Sequence, residues 1–340
     1  MTPVVQAVVE IDRRLASLSR FQLIPSMTPL EAASGLAGVL SGPMIWLKRD
    51  DLISFGFGGN KIRGLEFIVA DAIRQGADRL VTGAGPLSNH VRATAAAAAH
   101  AGLKMTAVYW GNPPRQLRGN HLLTRMLGAE IRFTKNLDRA SVDQHLDDIA
   151  QEYRSANGRP YVIPRGGACA LGVIGHVQVV REVMAQCKAA GVSPEVVVLA
   201  VGSGATLAGW LLGSRLFSAR WRIEGVSVSR PAAEVCLRVV ALAREAAVLL
   251  GSDVDIGLQD VVVHDGFIGA GYGIPSAGGN TAIALAARTE GVFFDPVYTG
   301  KALAGYCALL SSARYDGVGT VLFLHTGGAP SLFAVEDAAP

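Results

Sequence analysis

A lysine that follows two glycines and opens a helical pattern is the residue here best placed for covalent chemistry. Gly58-Gly59-Asn60-Lys61-Ile62-Arg63 bends at its glycines and sets Lys61 in the first turn of a predicted helix. Unpaired N–H groups make that end of a helix positive, so a cation is unfavourable there. Such a position favours a neutral, nucleophilic amine; a plain surface lysine after a loop is the other reading.

Three more turns carry donor-rich side chains. Ser88-Asn89-His90 follows an apolar run and Gly83-Ala84-Gly85-Pro86-Leu87. Serine and asparagine there are ordinary helix caps, and the same groups can bind a carboxylate. Gly202-Ser203-Gly204-Ala205-Thr206 also follows an apolar run. It reads as a phosphate cradle at a helix N-terminus or as a tight turn. No lysine follows those glycines, and no G-x-G-x-x-G with a spaced acid is present, which argues against nucleoside triphosphates and dinucleotides. Near the end, His325-Thr326-Gly327-Gly328-Ala329-Pro330 offers a neutral hydroxyl at the close of a strand, or a capped turn. Tyr272 and Tyr298 lie in polar islands and read by themselves as half-buried packing residues.

Short apolar runs at 45–48, 79–82, 105–109, 130–133, 161–163, 196–201, 223–227 and 320–325 read as strands. Amphipathic segments at 63–75, 89–101, 120–127, 173–190 and 205–214 lie between several of them. That alternation predicts parallel sheets with right-handed crossovers, and 340 residues suit two sheets better than one. In such sheets ligands bind where strands end and helices begin, which is where all four turns lie.

Half the residues are hydrophobic and 17% charged, which fills a core and excludes a disordered chain. A net charge of +3 without a dense basic block argues against nucleic acid. Cys169, Cys187, Cys236 and Cys307 are scattered without ligand spacing, so no metal site is expected and a reducing cytoplasm fits. His100, His121 and His145 fall on helical patterns, and His264 and His325 at strand ends, again without metal spacing. The N-terminus has no long apolar stretch of the secretory type, no segment is expected to span a membrane, and the tail 336–340 is expected to fray.

Taken together and in order, KRDDL, GGNKIRGLEF, SNHVRATAAA, DPVYTGKALAG and HTGGAPSLFA resemble the D-cysteine desulfhydrase and 1-aminocyclopropane-1-carboxylate deaminase family of pyridoxal-phosphate enzymes, from about residue 20 to 333. The resemblance implies an α/β chain of two three-layer domains with mostly parallel sheets, like tryptophan synthase β (fold type II). A smaller domain would cover 64–172, and a larger cofactor-binding domain 1–63 with 173–340. Homodimers are usual in the family.

Site roles follow from the same resemblance. Lys61 would hold pyridoxal 5'-phosphate as a Schiff base and, once freed, act as base at the substrate Cα. Asn89 would bond the cofactor ring oxygen. Gly202, Ser203, Gly204, Ala205 and Thr206 would hold the phosphate, and Thr326 would face the pyridine nitrogen. Ser88, Asn89 and His90 would take the substrate carboxylate, while Tyr272, Tyr298 and Thr299 would flank ring and substrate, with Ser88 and both tyrosines in the catalytic set. A hydroxyl at the ring nitrogen holds no full positive charge there, which favours rapid loss of a β leaving group. The implied reaction is α,β-elimination on an amino acid, D-cysteine to pyruvate, ammonia and hydrogen sulfide. Thr299 and Thr326 stand where the deaminases differ. Ring-opening deamination, a cysteate-type sulfo-lyase and β-replacement are the sibling alternatives. Departures from the family pattern at Leu87, Trp110, Arg165, Ala168, Cys169 and His176 are expected to alter the pocket and shift specificity.

Overall fold

The computed structural model describes residues 3–334; the tail 336–340 lies outside them. Two sheets form. The six-stranded one has the order β1-β2-β10-β7-β8-β9 and the four-stranded one β5-β4-β3-β6. The first is built from β1 (Leu30–Ala32), β2 (Met44–Arg49), β7 (Val196–Val201), β8 (Arg222–Ser227), β9 (Val262–His264) and β10 (Thr320–His325). The second uses β3 (Arg79–Ala84), β4 (Lys104–Tyr109), β5 (Glu130–Phe133) and β6 (Pro160–Val162), one continuous stretch of chain. All pairings are parallel except β1 on β2. The central strand β7 reads VVVLAV and is buried throughout, as expected of a parallel strand covered on both faces. Val321 of β10 sits between Ile45 and Val196.

Strands β1 and β9 were not anticipated; each has only three residues, too few for alternation to be read. Among the described helices only α7 (Ala170–Ala190) has the length and apolarity of a membrane span. It is a core helix instead, packed on α3 (Lys61–Arg74), α8 (Ala205–Leu216) and α9 (Ala232–Leu249).

The helix that begins with Lys61 is anchored in two ways. It presses directly on α7: a Cβ at Gly175 would lie 2.3 Å from the Arg63 carbonyl carbon. Beneath it lies a buried charge cluster. Arg63 donates to both oxygens of Asp50 at 2.6 and 2.8 Å and pairs with Glu182 of α7 at 3.0 Å. Asp50 also accepts from Thr28 at 2.9 Å, and Lys48 donates to the Thr28 carbonyl at 2.7 Å. Burial alone would raise the Asp50 carboxyl; the Arg63 charge and hydrogen bonds, the Lys48 charge and the Thr28 hydroxyl together outweigh it and hold the group below the usual carboxylate range. The KRDD segment thus fixes the start of α3.

Candidate active site

The carboxyl ends of β3, β7, β8 and β10 converge on a cleft of about 910 Å³, open mouth included. Lys61 lies within it. Its Nζ donates to the Gly166 carbonyl at 3.1 Å and to Ser203 Oγ at 3.4 Å, and among the described residues no carboxylate lines the cleft. Burial without a counter-charge lowers this amine to about 8. The neutral fraction, and with it the rate of labelling by a small aldehyde trapped with borohydride, is expected to rise about tenfold from pH 7 to pH 9 and level off. An unshifted lysine would gain about a hundredfold over that interval without a plateau.

The turn from β7 into α8 supplies the second feature. Gly204 has φ +98°, a left-handed conformation that suits glycine, and opens the first turn of α8, whose N–H groups have no partners within the helix. Gly202, Ser203, Gly204 and Thr206 line the cleft, while Ala205 is buried and does not line it. Asn60 bridges the two features, donating to Thr206 Oγ1 at 2.9 Å while its N–H reaches the Thr326 carbonyl at 3.1 Å. His176 of α7 sits under the same loop, 3.3 Å from Thr206 Oγ1. Burial, then the nearby Lys61 charge, brings it to about 3, so its ring is neutral.

On the opposite wall Ser88 caps α4 (Asn89–His100), with Oγ accepting from the Val91 N–H at 3.2 Å. Its O–H proton remains available to the cleft. Asn89 is oriented by Asn120, whose amide donates to its Oδ1 at 2.8 Å. Arg92, in the same SNHVR motif, ties α4 to the loop before Lys61 by donating to the carbonyls of Gly56 and, at 2.9 Å, Gly58. His90 lines the cleft beside Ser88 and Asn89, with its ring held by Thr82. Thr82 Oγ1 donates to the Ile163 carbonyl at 2.7 Å, so it accepts from His90 Nε2–H at 3.1 Å. Burial, followed by the Lys61 charge, lowers the imidazole to about 3 and leaves it neutral.

Tyr272 and Tyr298 both line the cleft, with hydroxyls 2.8 Å apart. Burial raises Tyr272 to about 12 and Tyr298 further, the second helped by its neighbour, so both keep their protons. Trp110 packs edge-on against Tyr272, ring centres 5.4 Å apart. Thr299 does not join them. Its hydroxyl donates to Asp295 at 2.7 Å and accepts the Asp295 N–H at 2.8 Å, and the residue is fully buried away from the cleft. Asp295 also accepts the N–H groups of Val297, Tyr298 and Thr299, which locks the approach to α11 (Thr299–Ser311) and positions Tyr298. Thr326 lines the cleft as expected.

Of the six departures, Trp110 and Arg165 line the cleft, while Leu87, Ala168, Cys169 and His176 do not. Sequence reasoning assigned no site role to Asn60, Arg139, Arg230 or Arg238, which also line it. Among the described residues no cluster of acids, histidines or cysteines suits a metal ion.

Known proteins are similar to this chain over nearly its whole length. The family described as "Pyridoxal-phosphate dependent enzyme" matches residues 22–327. A D-cysteine desulfhydrase of Yersinia enterocolitica is 41% identical over 330 residues, covering 95% of this chain and 98% of the relative. One from Serratia proteamaculans is 39% identical over 331 residues, 96% of this chain and 98% of the relative. A crystal structure of an ACC deaminase homologue superposes with TM-score 0.89 at 34% identity, covering 98% of this chain and 97% of the other.

Proposed function

Because the chain belongs to the family of pyridoxal-phosphate dependent enzymes, we propose that it eliminates hydrogen sulfide from D-cysteine, taking up water and releasing pyruvate and ammonia. The observation that carries this reading is the Lys61 amine, without a counter-charge and 3.4 Å from Ser203 in a glycine-bounded turn. An amine free of a counter-charge suits an aldehyde. The left-handed turn at Gly204 and the N–H groups of α8 suit a phosphate, and the Thr326 hydroxyl suits a neutral ring nitrogen. Pyridoxal phosphate, when bound, supplies the electron sink that lets the Cα–H bond break.

The chain's own groups then divide the work. Lys61, neutral above about 8, accepts the Cα proton. The Ser88 hydroxyl and the start of α4 bind the substrate carboxylate, and Asn89, held by Asn120, faces the cofactor. The Tyr272–Tyr298 pair, protonated through the physiological range, donates toward the departing sulfur. Two D-cysteine desulfhydrases similar over nearly the whole chain support this assignment. We also read residues 64–172 as a domain of their own and the assembly as a cytoplasmic homodimer; four free cysteines support the reducing compartment.

The test is product analysis of the holoenzyme with D-cysteine, L-cysteine and 1-aminocyclopropane-1-carboxylate. Equal amounts of sulfide and pyruvate from D-cysteine are expected. Ammonia and a keto acid from the cyclopropane, without turnover of D-cysteine, would overturn the assignment.

A further inference from the structure

Besides Lys61, four other cations line the cleft, Arg139, Arg165, Arg230 and Arg238, drawn from separate parts of the chain. Their nearby acids stand behind them. Arg165 grips Asp143 with two bonds of 2.6 and 2.7 Å, Arg230 pairs with Glu234, and Arg139 reaches Glu234 at 3.2 Å and the Ser229 carbonyl at 3.0 Å. Two carboxylates against four guanidinium groups leave a positive excess. Arg238 carries much of it: its buried Nε has no hydrogen-bond partner. Burial, then repulsion from Arg139, Arg238 and Arg165, lowers Arg230 to about 10. Like charges gathered in a half-dry cleft are costly unless an anion completes the set.

Their placement is specific. Arg230 follows β8, whose Ser227 pairs with Val201 immediately before the 202–206 turn. Arg238 comes within 3.9 Å, Cβ to Cβ, of the position a side chain would take at Gly204. Arg165 precedes Gly166, whose carbonyl receives Lys61. The four arginines and that turn therefore line the same cleft.

We propose that Arg165, Arg230 and Arg238, braced by Arg139, form an oxyanion subsite beside the 202–206 turn that takes a tetrahedral phosphate or sulfonate. Planar guanidinium forks match such oxygens in pairs. The subsite deepens the function proposed above and rests on its reading of the cleft. Two sources present this chemistry: the cofactor's own phosphate, and an acidic group on the β-substituent of the substrate.

The experiment compares wild type with Arg165→Gln and Arg238→Gln, and with Arg165→Lys as a variant that keeps the charge while losing the fork. Calorimetry on the apoenzyme measures affinity for pyridoxal phosphate, for pyridoxal and for inorganic sulfate. Steady-state assays on the holoenzyme give the ratio of kcat/KM for 3-sulfoalanine to that for cysteine. If the cofactor is the source, each glutamine variant binds pyridoxal phosphate and sulfate about 10- to 150-fold more weakly while pyridoxal is unaffected. If the substrate is the source, sulfate affinity and the 3-sulfoalanine ratio fall by that factor and pyridoxal phosphate affinity holds. Unchanged sulfate affinity, or equal weakening of pyridoxal and pyridoxal phosphate, overturns the subsite. A wild type that binds no pyridoxal phosphate overturns the function proposed above, and the subsite with it.

Discussion

Lys61→Ala is expected to abolish elimination, lowering kcat by a factor on the order of 10³ or more, since loss of a positioned general base alone costs 10²- to 10⁴-fold. The variant should also be colourless after exposure to pyridoxal phosphate, because among the described residues no other amine lines the cleft. Stability should change little or rise slightly, as the substitution removes a poorly compensated buried amine. Lys61→Arg is the stricter comparison. A guanidinium stays protonated throughout the working range and cannot become a nucleophile, so the variant keeps a cation at this position and loses the chemistry. Substantial activity in either variant, measured as pyruvate release, would remove Lys61 from the mechanism.

Asp50→Ala should produce the largest loss of stability. It strips a buried Arg63 of its two shortest carboxylate bonds and the Thr28 hydroxyl of its acceptor. Breaking a buried pair from one side typically costs about 3–5 kcal/mol, read as a lower denaturant midpoint. The double change Asp50→Ala with Arg63→Met should cost less than the sum of the single changes, because it leaves no arginine stranded. Cofactor affinity should fall with stability, since the same cluster seats the first turn of α3. Additive losses in the double variant would mean that the two residues act separately.

The sequence made the framework legible where signals are local. Apolar runs bounded by glycine marked the strands that feed the cleft, and the turns at 83–90, 202–206 and 326–330 lie at strand carboxyl ends, whereas two short 3-10 helices separate the Gly58–Lys61 turn from Arg49, the last residue of β2. Groups whose meaning depends on distant partners stayed hidden. Arg139, Arg165, Arg230 and Arg238 come from separate elements and become one cluster only when the two sheets face each other. Asn120 and Arg92 act as struts, and nothing in their spacing reveals which loop they hold. Thr299 was different. Asp295 four residues before a helical pattern is a signal for local capping, and that competing role took the hydroxyl. His90 lines the cleft, and what the sequence could not show is the Thr82 acceptor that occupies its ring N–H.

The most direct measurement is borohydride reduction of the holoenzyme followed by peptide mass analysis. A pyridoxyl group fixed on Lys61, in amount equal to the protein, is the expected result. Its appearance on a different lysine, or its absence from a protein that still turns over substrate, would contradict the assignment of the covalent site.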